Sequence, residues 1–234
     1  MLARAVSADP RAVAMRWPEP RTRALARLAM LVTEAPWRLS AGLRAELARA
    51  GAALDNELVL HVVALSAYFG HLNRVADAVG VPLDYVVQHM PPEAEPATPR
   101  YERAPEVVVA GGAAAAASAL ARRPATAEAL AAWRAYVMER DAPLSRAERA
   151  VICARVDGHL GAGPGEAAPA GDPVLLELTD VVTLAPWALG DAAFAGMRAQ
   201  GADDARIFDA CVTASTAGVG ARIAVALAAL ARDA

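Results

Sequence analysis

The sequence predicts an all-α protein made of two related helical repeats packed as one pseudo-symmetric domain. Three observations lead there. Alanine supplies 62 of 234 residues, and it is the best helix former and a poor strand former. Aromatic residues are only 5% of the chain, so the core has to come from Leu, Val and Ala. A ten-residue stretch also recurs. LAMLVTEAPW at 28–37 and LTDVVTLAPW at 178–187 share Leu28/Leu178, Val32/Val182, Thr33/Thr183, Ala35/Ala185, Pro36/Pro186 and Trp37/Trp187. Gly51 and Gly201 follow at equal spacing. Then the offset drops by two, and Gly70 meets Gly218 and Arg74 meets Arg222.

Each copy reads as helix–break–helix–break–helix. The first helix ends near Ala-Pro-Trp, because proline pushes its predecessor out of the α region. The second, about 40–50, stops at a glycine suited to a left-handed C-cap. The third runs about 55–79, with Asp55 as N-cap and Gly80 as stop. Leu58, Val62, Leu65, Phe69 and Leu72 recur at helical spacing and define its expected core stripe. Leu60, Val63 and Tyr68 point to other faces, so the helix is apolar nearly all round and should be buried. In the second copy Thr216 stands where Tyr68 was, and Ala217 where Phe69 was.

Residues 91–112 are proline-rich without helical period and read as a linker. The alanine run Ala113–Ala117 should open the next helix, and a further helix is expected over 146–160. The organisation is then 1–90, 91–117 as a Pro/Ala-rich linker, and 118–234.

All 23 basic residues are arginine, and the net charge is −3, which excludes a general nucleic-acid binder. No apolar run reaches the ~18–20 residues of a membrane span. Two cysteines, Cys153 and Cys211, make no disulfide framework. The first 28 residues are arginine-rich with only Asp9 and Glu19 acidic. A mitochondrial transit peptide has that composition. So does the arginine-heavy start of a helical protein encoded by a GC-rich genome, which is the reading preferred here. No secretory signal pattern is present, and the expected location is cytoplasmic.

The stretch AYFGHLNRVADAVGVPLDY at 67–85 carries a family signal in Phe69, Asn73, Arg74, Ala76, Asp77, Gly80 and Val81. It resembles the C-terminal helix of the AhpD-like, peroxidase-related branch of the carboxymuconolactone decarboxylase superfamily. LSRAERAVICARVDGHLG at 144–161 looks like the segment that opens that family's active-site helix. The resemblance covers about 20–86 and 118–230. It implies an all-α fold, oligomers, and an active site made of Cys-x-x-Cys, a nearby histidine and a glutamate relay. Such chemistry requires a thiolate, a resolving thiol one turn away and groups that move protons between them.

The chain departs from that pattern at each point. Ala150 falls on the relay glutamate, Ala162 and Gly165 on the cysteines, and Pro169 on the histidine. A two-residue shift restores a glutamate, Glu148, but no cysteine. The first copy's active-site helix would lie before Met1. The chain reads either as a pseudoenzyme or as one whose start is called too late in a longer tandem protein.

The remaining candidates for catalysis are Cys153, Glu148 and His159. On one helix, His159 lies about 120° and Glu148 about 140° around from Cys153, which favours no thiolate pair. Cys153 and Cys211 read as small core residues. His61 and His71 are about 15 Å apart along one helix, so no metal joins them. No cofactor motif is present, and GAGPGE at 161–166 lacks the preceding strand of a nucleotide loop. Arg74 and Arg222, on otherwise apolar helices, need partners. A salt bridge to another helix is the expected one, and an anion in a pocket the alternative.

Three functions follow as expectations. The first is a non-catalytic interaction or structural role. The second is a thiol oxidoreductase acting through Cys153, or with a Cys-x-x-Cys from upstream or from a partner. The third is a small-ligand binder using the emptied pocket. The apolar third helix further predicts a homo-oligomer, a dimer first, with residues 57–79 at or beside the interface.

Overall fold

The computed structural model of the chain describes residues 19–50, 56–81, 101–163 and 171–232. Among these there are nine α-helices and no strand. They are α1 (Pro20–Glu34), α2 (Ala41–Arg49), α3 (Asn56–Ala78), α4 (Gly112–Leu120), α5 (Pro124–Met138), α6 (Arg146–Leu160), α7 (Pro173–Leu184), α8 (Asp191–Ala199) and α9 (Asp204–Ala231). A 3-10 turn follows α1 at Pro36–Arg38, and another follows α7 at Pro186–Ala188. The chain is all-α.

Both prolines break their helices in the same way. The residue before each, Ala35 and Ala185, leaves the helical region at φ −151°, ψ 69° and φ −158°, ψ 59°. Ser40 caps α2 by accepting from the Leu43 N–H, and Asp203 caps α9 by accepting from the Arg206 N–H. The expected cap Asp55 and the expected stop Gly51 lie outside the described residues. So do residues 1–18, the larger part of the arginine-rich first 28.

α9 is the centre of the molecule and packs against α3, α6, α4 and α7. One face joins a core with α1 to α4 that includes Leu28, Leu47, Val63 and Ile223. Another joins a core with α6 and α7 that includes Ile152, Val156, Leu178 and Val182. α9 corrects the count of membrane-length segments, because Arg222 interrupts its apolar run without ending it. By length and composition it is long and apolar enough to cross a membrane, and most of that stretch is buried inside the fold.

α3 corrects the expected core stripe. The residues turned inward are Leu60, Val63, Ala67, Gly70, Arg74 and Ala78. Leu65, Tyr68, Phe69 and Leu72 are left outside, with Phe69 57% exposed. Close approach of α3 to α9 needs small residues at the contact, so Ala67 and Gly70 face inward and the bulky residues do not.

The described part of the 91–117 segment is bonded to the helices beside it. The Tyr101 N–H donates to Leu184 O (2.8 Å), Ala104 to His159 O (2.8 Å), and Val108 to Gly161 O (2.7 Å). Gly161 ends α6 at φ +75°, and a Cβ there would stand 2.8 Å from the Glu106 carbonyl. Only glycine suits that position.

Candidate functional site

Residues 112–138 fold as a helical hairpin of α4 and α5, joined by a turn at 121–123. Between the hairpin and α9 lies a cavity of about 310 Å³. Six alanines of α4 and α5 line it, and Leu120, Leu130 and Ile223 add bulk. The lining residues that carry polar groups are Trp133, Arg134 and Thr216. Thr216 is 2% exposed and its Oγ1 has no hydrogen-bond partner. Trp133 carries the wall on towards α3, meeting the His71 ring edge-on at 4.7 Å. Burial pushes His71 down to about 4, and its Nδ1 is also unpartnered.

Cys153 faces this region from α6. Its thiol lies 3.7 Å from the Met138 sulfur, with Arg134 against it. Burial raises its pKa, more than Arg134 lowers it. One turn on, Asp157 is pushed up to about 7 by burial, against the pull of Arg134. Cys211 is fully buried in α9 and is pushed up to about 12. Both cysteines are free thiols.

Glu148 and His159 sit elsewhere. Glu148 forms a capping box with Ser145 at the start of α6. An ion pair with Arg206, the largest cause, and the Ser145 bonds hold it down at about 2 despite some desolvation. His159 is buried against α7, with Nε2 2.6 Å from Asp180 Oδ1. Arg155 grips the same carboxylate with two bonds of 2.7 Å, and Arg103 reaches it at 3.2 Å. Desolvation opposes ionisation of Asp180, yet the bonds from Arg155 and His159 hold it at about 2. Burial lowers the His159 pKa more than Asp180 raises it. The three candidates therefore point to three neighbours: Glu148 to Arg206, Cys153 to α5, His159 to α7. Of the positions that fall on the family's redox residues, Gly165 and Pro169 lie outside the described residues. Ala162 is fully buried.

Arg74 and Arg222 do not form the expected salt bridges. Each curls back on its own helix, Arg74 Nη1 donating to Gly70 O (3.0 Å) and Arg222 Nη1 to Gly218 O (3.2 Å). Each then donates to Thr33 O in the last turn of α1, at 3.0 and 3.1 Å. That carbonyl belongs to the orphan acceptors at a helix C-terminus, where the dipole favours cations. A Cβ at Gly70 or Gly218 would stand 2.9 or 2.4 Å from its own helix's guanidinium, so the two glycines leave the room the arginines occupy.

A further cation is buried, on α6. Arg149 is 1% exposed and donates to Asp209 Oδ1 (3.0 Å), Thr213 Oγ1 (2.8 Å) and Arg140 O (3.1 Å). Asp209 also accepts the Leu144 N–H at 3.0 Å. The sign of it in the sequence is Asp209 and Thr213, four apart on an apolar helix. Among the described residues no His, Cys, Asp and Glu cluster could hold a metal.

No family model, curated protein or solved structure matches this chain.

Proposed function

We propose that the chain is a non-catalytic interaction protein of the AhpD and carboxymuconolactone decarboxylase type, acting as a cytoplasmic homodimer. In this reading its two repeats pack about a pseudo-two-fold axis. The element order supports that: α1, 3-10 turn, α2 and α3 have 15, 3, 9 and 23 residues, against 12, 3, 9 and 28 in α7, 3-10 turn, α8 and α9. The matched Ala35 and Ala185 geometry and the shared Gly-x-x-x-Arg curl add to it. The two free thiols, Cys211 buried and Cys153 partly buried, support a reducing compartment, and the burial that raises both pKa values argues against thiol catalysis.

The observation that carries the interaction role is the open face of α3. Tyr68 and Leu72 correspond in the repeat to Thr216 and Gly220, which the α4–α5 hairpin covers on α9. On α3, Tyr68 touches Trp133 edge-on at 6.0 Å, while Leu65, Phe69 and Leu72 stay exposed. A stripe of large apolar side chains at i, i+4 and i+7 with no charge in it is self-complementary. A second copy related by a two-fold axis covers it at least cost in new surface. Light scattering should give about twice the chain mass of 24.2 kDa at tens of micromolar. Phe69→Glu with Leu72→Glu should give a monomer of unchanged helicity. A wild-type monomer at that concentration overturns the dimer.

One observation favours a second reading, a thiol oxidoreductase. Cys153 and Asp157 lie one turn apart with Arg134 beside both. Hydroperoxide consumption with a dithiol reductant, lost in Cys153→Ser, would establish it.

A further inference from the structure

We propose that the cavity between the α4–α5 hairpin and α9 binds an uncharged hydrocarbon of about ten carbon atoms. Its floor is buried and branched: Leu120, Val219 and Ile223 line it and are 2%, 3% and 1% exposed. Ala114, Ala117 and Ala131 line it too and are solvent-exposed, so a ligand enters past them without opening the core. Trp133 adds an aromatic wall.

The space comes from the side chains and not from helices standing apart. A Cβ at Gly220 would stand 3.5 Å from the Ala113 Cα, so α4 lies against α9 at ordinary packing distance there. Yet the hairpin lines the gap with six alanines, where a core at normal density would carry branched residues. What remains is about 310 Å³.

The lining also decides polarity. Thr216 Oγ1 is sealed off from any water-sized group. The Arg134 guanidinium is engaged with Cys153 and Asp157, neither of which lines the cavity. The arginine therefore offers its aliphatic stem to the wall. A charged ligand would give up water and find no partner in exchange. A hydrocarbon gives up nothing and gains contact with the walls. Volume sets its size. An apolar cavity of about 150 Å³ takes one benzene, so twice that space suits two fused six-membered rings.

The test is calorimetric titration of the full chain with naphthalene, 2-naphthoate and 2-naphthylmethylammonium at pH 7. The two ions place one charge of either sign on the same skeleton. Naphthalene should bind at least tenfold more tightly than either ion. Ala117→Phe and Ala131→Phe put bulk at exposed lining positions and should each weaken naphthalene at least tenfold, with helicity unchanged by circular dichroism. Phe69→Glu with Leu72→Glu should bind naphthalene as the wild type does. Failure of the wild type to bind naphthalene overturns the proposal, as does an ion that binds equally well or full affinity in both alanine variants. Loss of binding in the α3 variant would place naphthalene on the exposed α3 stripe and overturn it as well. Binding seen only in the α3 variant would mean that a second copy fills the cavity, which also overturns it. The three probes are compared on the wild type, so that comparison stands even where a variant fails to fold.

Discussion

Arg74 and Arg222, on two different helices, donate to one acceptor, the main-chain oxygen of Thr33. Two buried cations meet at a single helix C-terminus. Burial lowers the Arg222 pKa well below its ordinary value, and Arg74 lowers it further. Burial also lowers Arg74, with Tyr101 and Asp77 pulling the other way. The ring of Tyr101 stands 5.4 Å from the Arg74 guanidinium carbon and supplies part of the compensation.

A shared acceptor makes the two arginines non-additive. Arg222→Met removes one buried charge and relieves the repulsion, while Arg74 still satisfies Thr33. It should change stability by less than about 1 kcal/mol. Arg74→Met paired with Arg222→Met leaves the carbonyl orphaned, at a cost of about 1–3 kcal/mol. In urea unfolding the double variant should lose at least about 1 kcal/mol more than the two singles summed. Additive losses would show that the two do not share Thr33.

Two threonines one turn apart on α9 should respond in opposite directions to the same substitution. Thr216 has a buried hydroxyl with no partner, so Thr216→Val should stabilise by about 1 kcal/mol. The Thr213 hydroxyl accepts from Arg149 at 2.8 Å, so Thr213→Val should destabilise by about 1 kcal/mol or more. Thermal unfolding of both variants reads the signs directly.

What the sequence disclosed was local, and what it withheld was which face turns inward. The breaks at Pro36 and Pro186, the helix at 146–160 and the helical opening of the alanine run are chain-neighbour effects, readable without knowing the fold. The periodicity of residues 57–79 identified faces correctly but chose the bulkier one as core. Contact with α9 instead selected Ala67 and Gly70, whose value lies in their small size. Arg74 and Arg222 were recognised as needing partners, yet their partners are main-chain oxygens, which no side-chain pattern marks. The cavity left almost no sign. Trp133, Arg134 and Thr216 come from two helices 80 residues apart in the chain, and only the replacement of Tyr68 by Thr216 hinted at space there.

Asp157 gives a pH signature. Its carboxyl is pushed up to about 7 in the folded chain by burial, against an unfolded value near 3.8. Between those values the native state holds the extra proton, so stability falls as pH rises. The contribution is complete below about 4 and is lost as pH passes 7. Asp157→Asn lacks this titration. From pH 4 to pH 8 the variant should gain on the wild type by up to about 4 kcal/mol. His71 works in the other sense, because its neutral form is favoured in the fold down to about 4. Its contribution is present above 6.5 and is lost as pH falls towards 4. It is common to both proteins and cancels in the difference. A difference that is flat across this range would place Asp157 in water.

The thiols provide the last prediction. A thiolate, not a thiol, attacks disulfides and peroxides. Burial raises Cys153 despite the adjacent Arg134, and it raises Cys211 to about 12 in the interior of α9. At pH 8 both should hold a smaller thiolate fraction than a free cysteine, whose pKa is about 8.5. Reaction with an aromatic disulfide reagent should therefore be slower at Cys153 than at a free thiol, and at Cys211 it should wait for unfolding. Adding urea through the transition should release both thiols together with the loss of helicity. Two variants separate the sites: Cys211→Ala leaves the slow native phase, and Cys153→Ser removes it. Arg134→Gln should slow the Cys153 phase further, because the guanidinium is the group that favours its thiolate. Native labelling of Cys153 at the rate of a free thiol, slowed in Arg134→Gln, would instead mark an activated nucleophile and return the chain to the oxidoreductases.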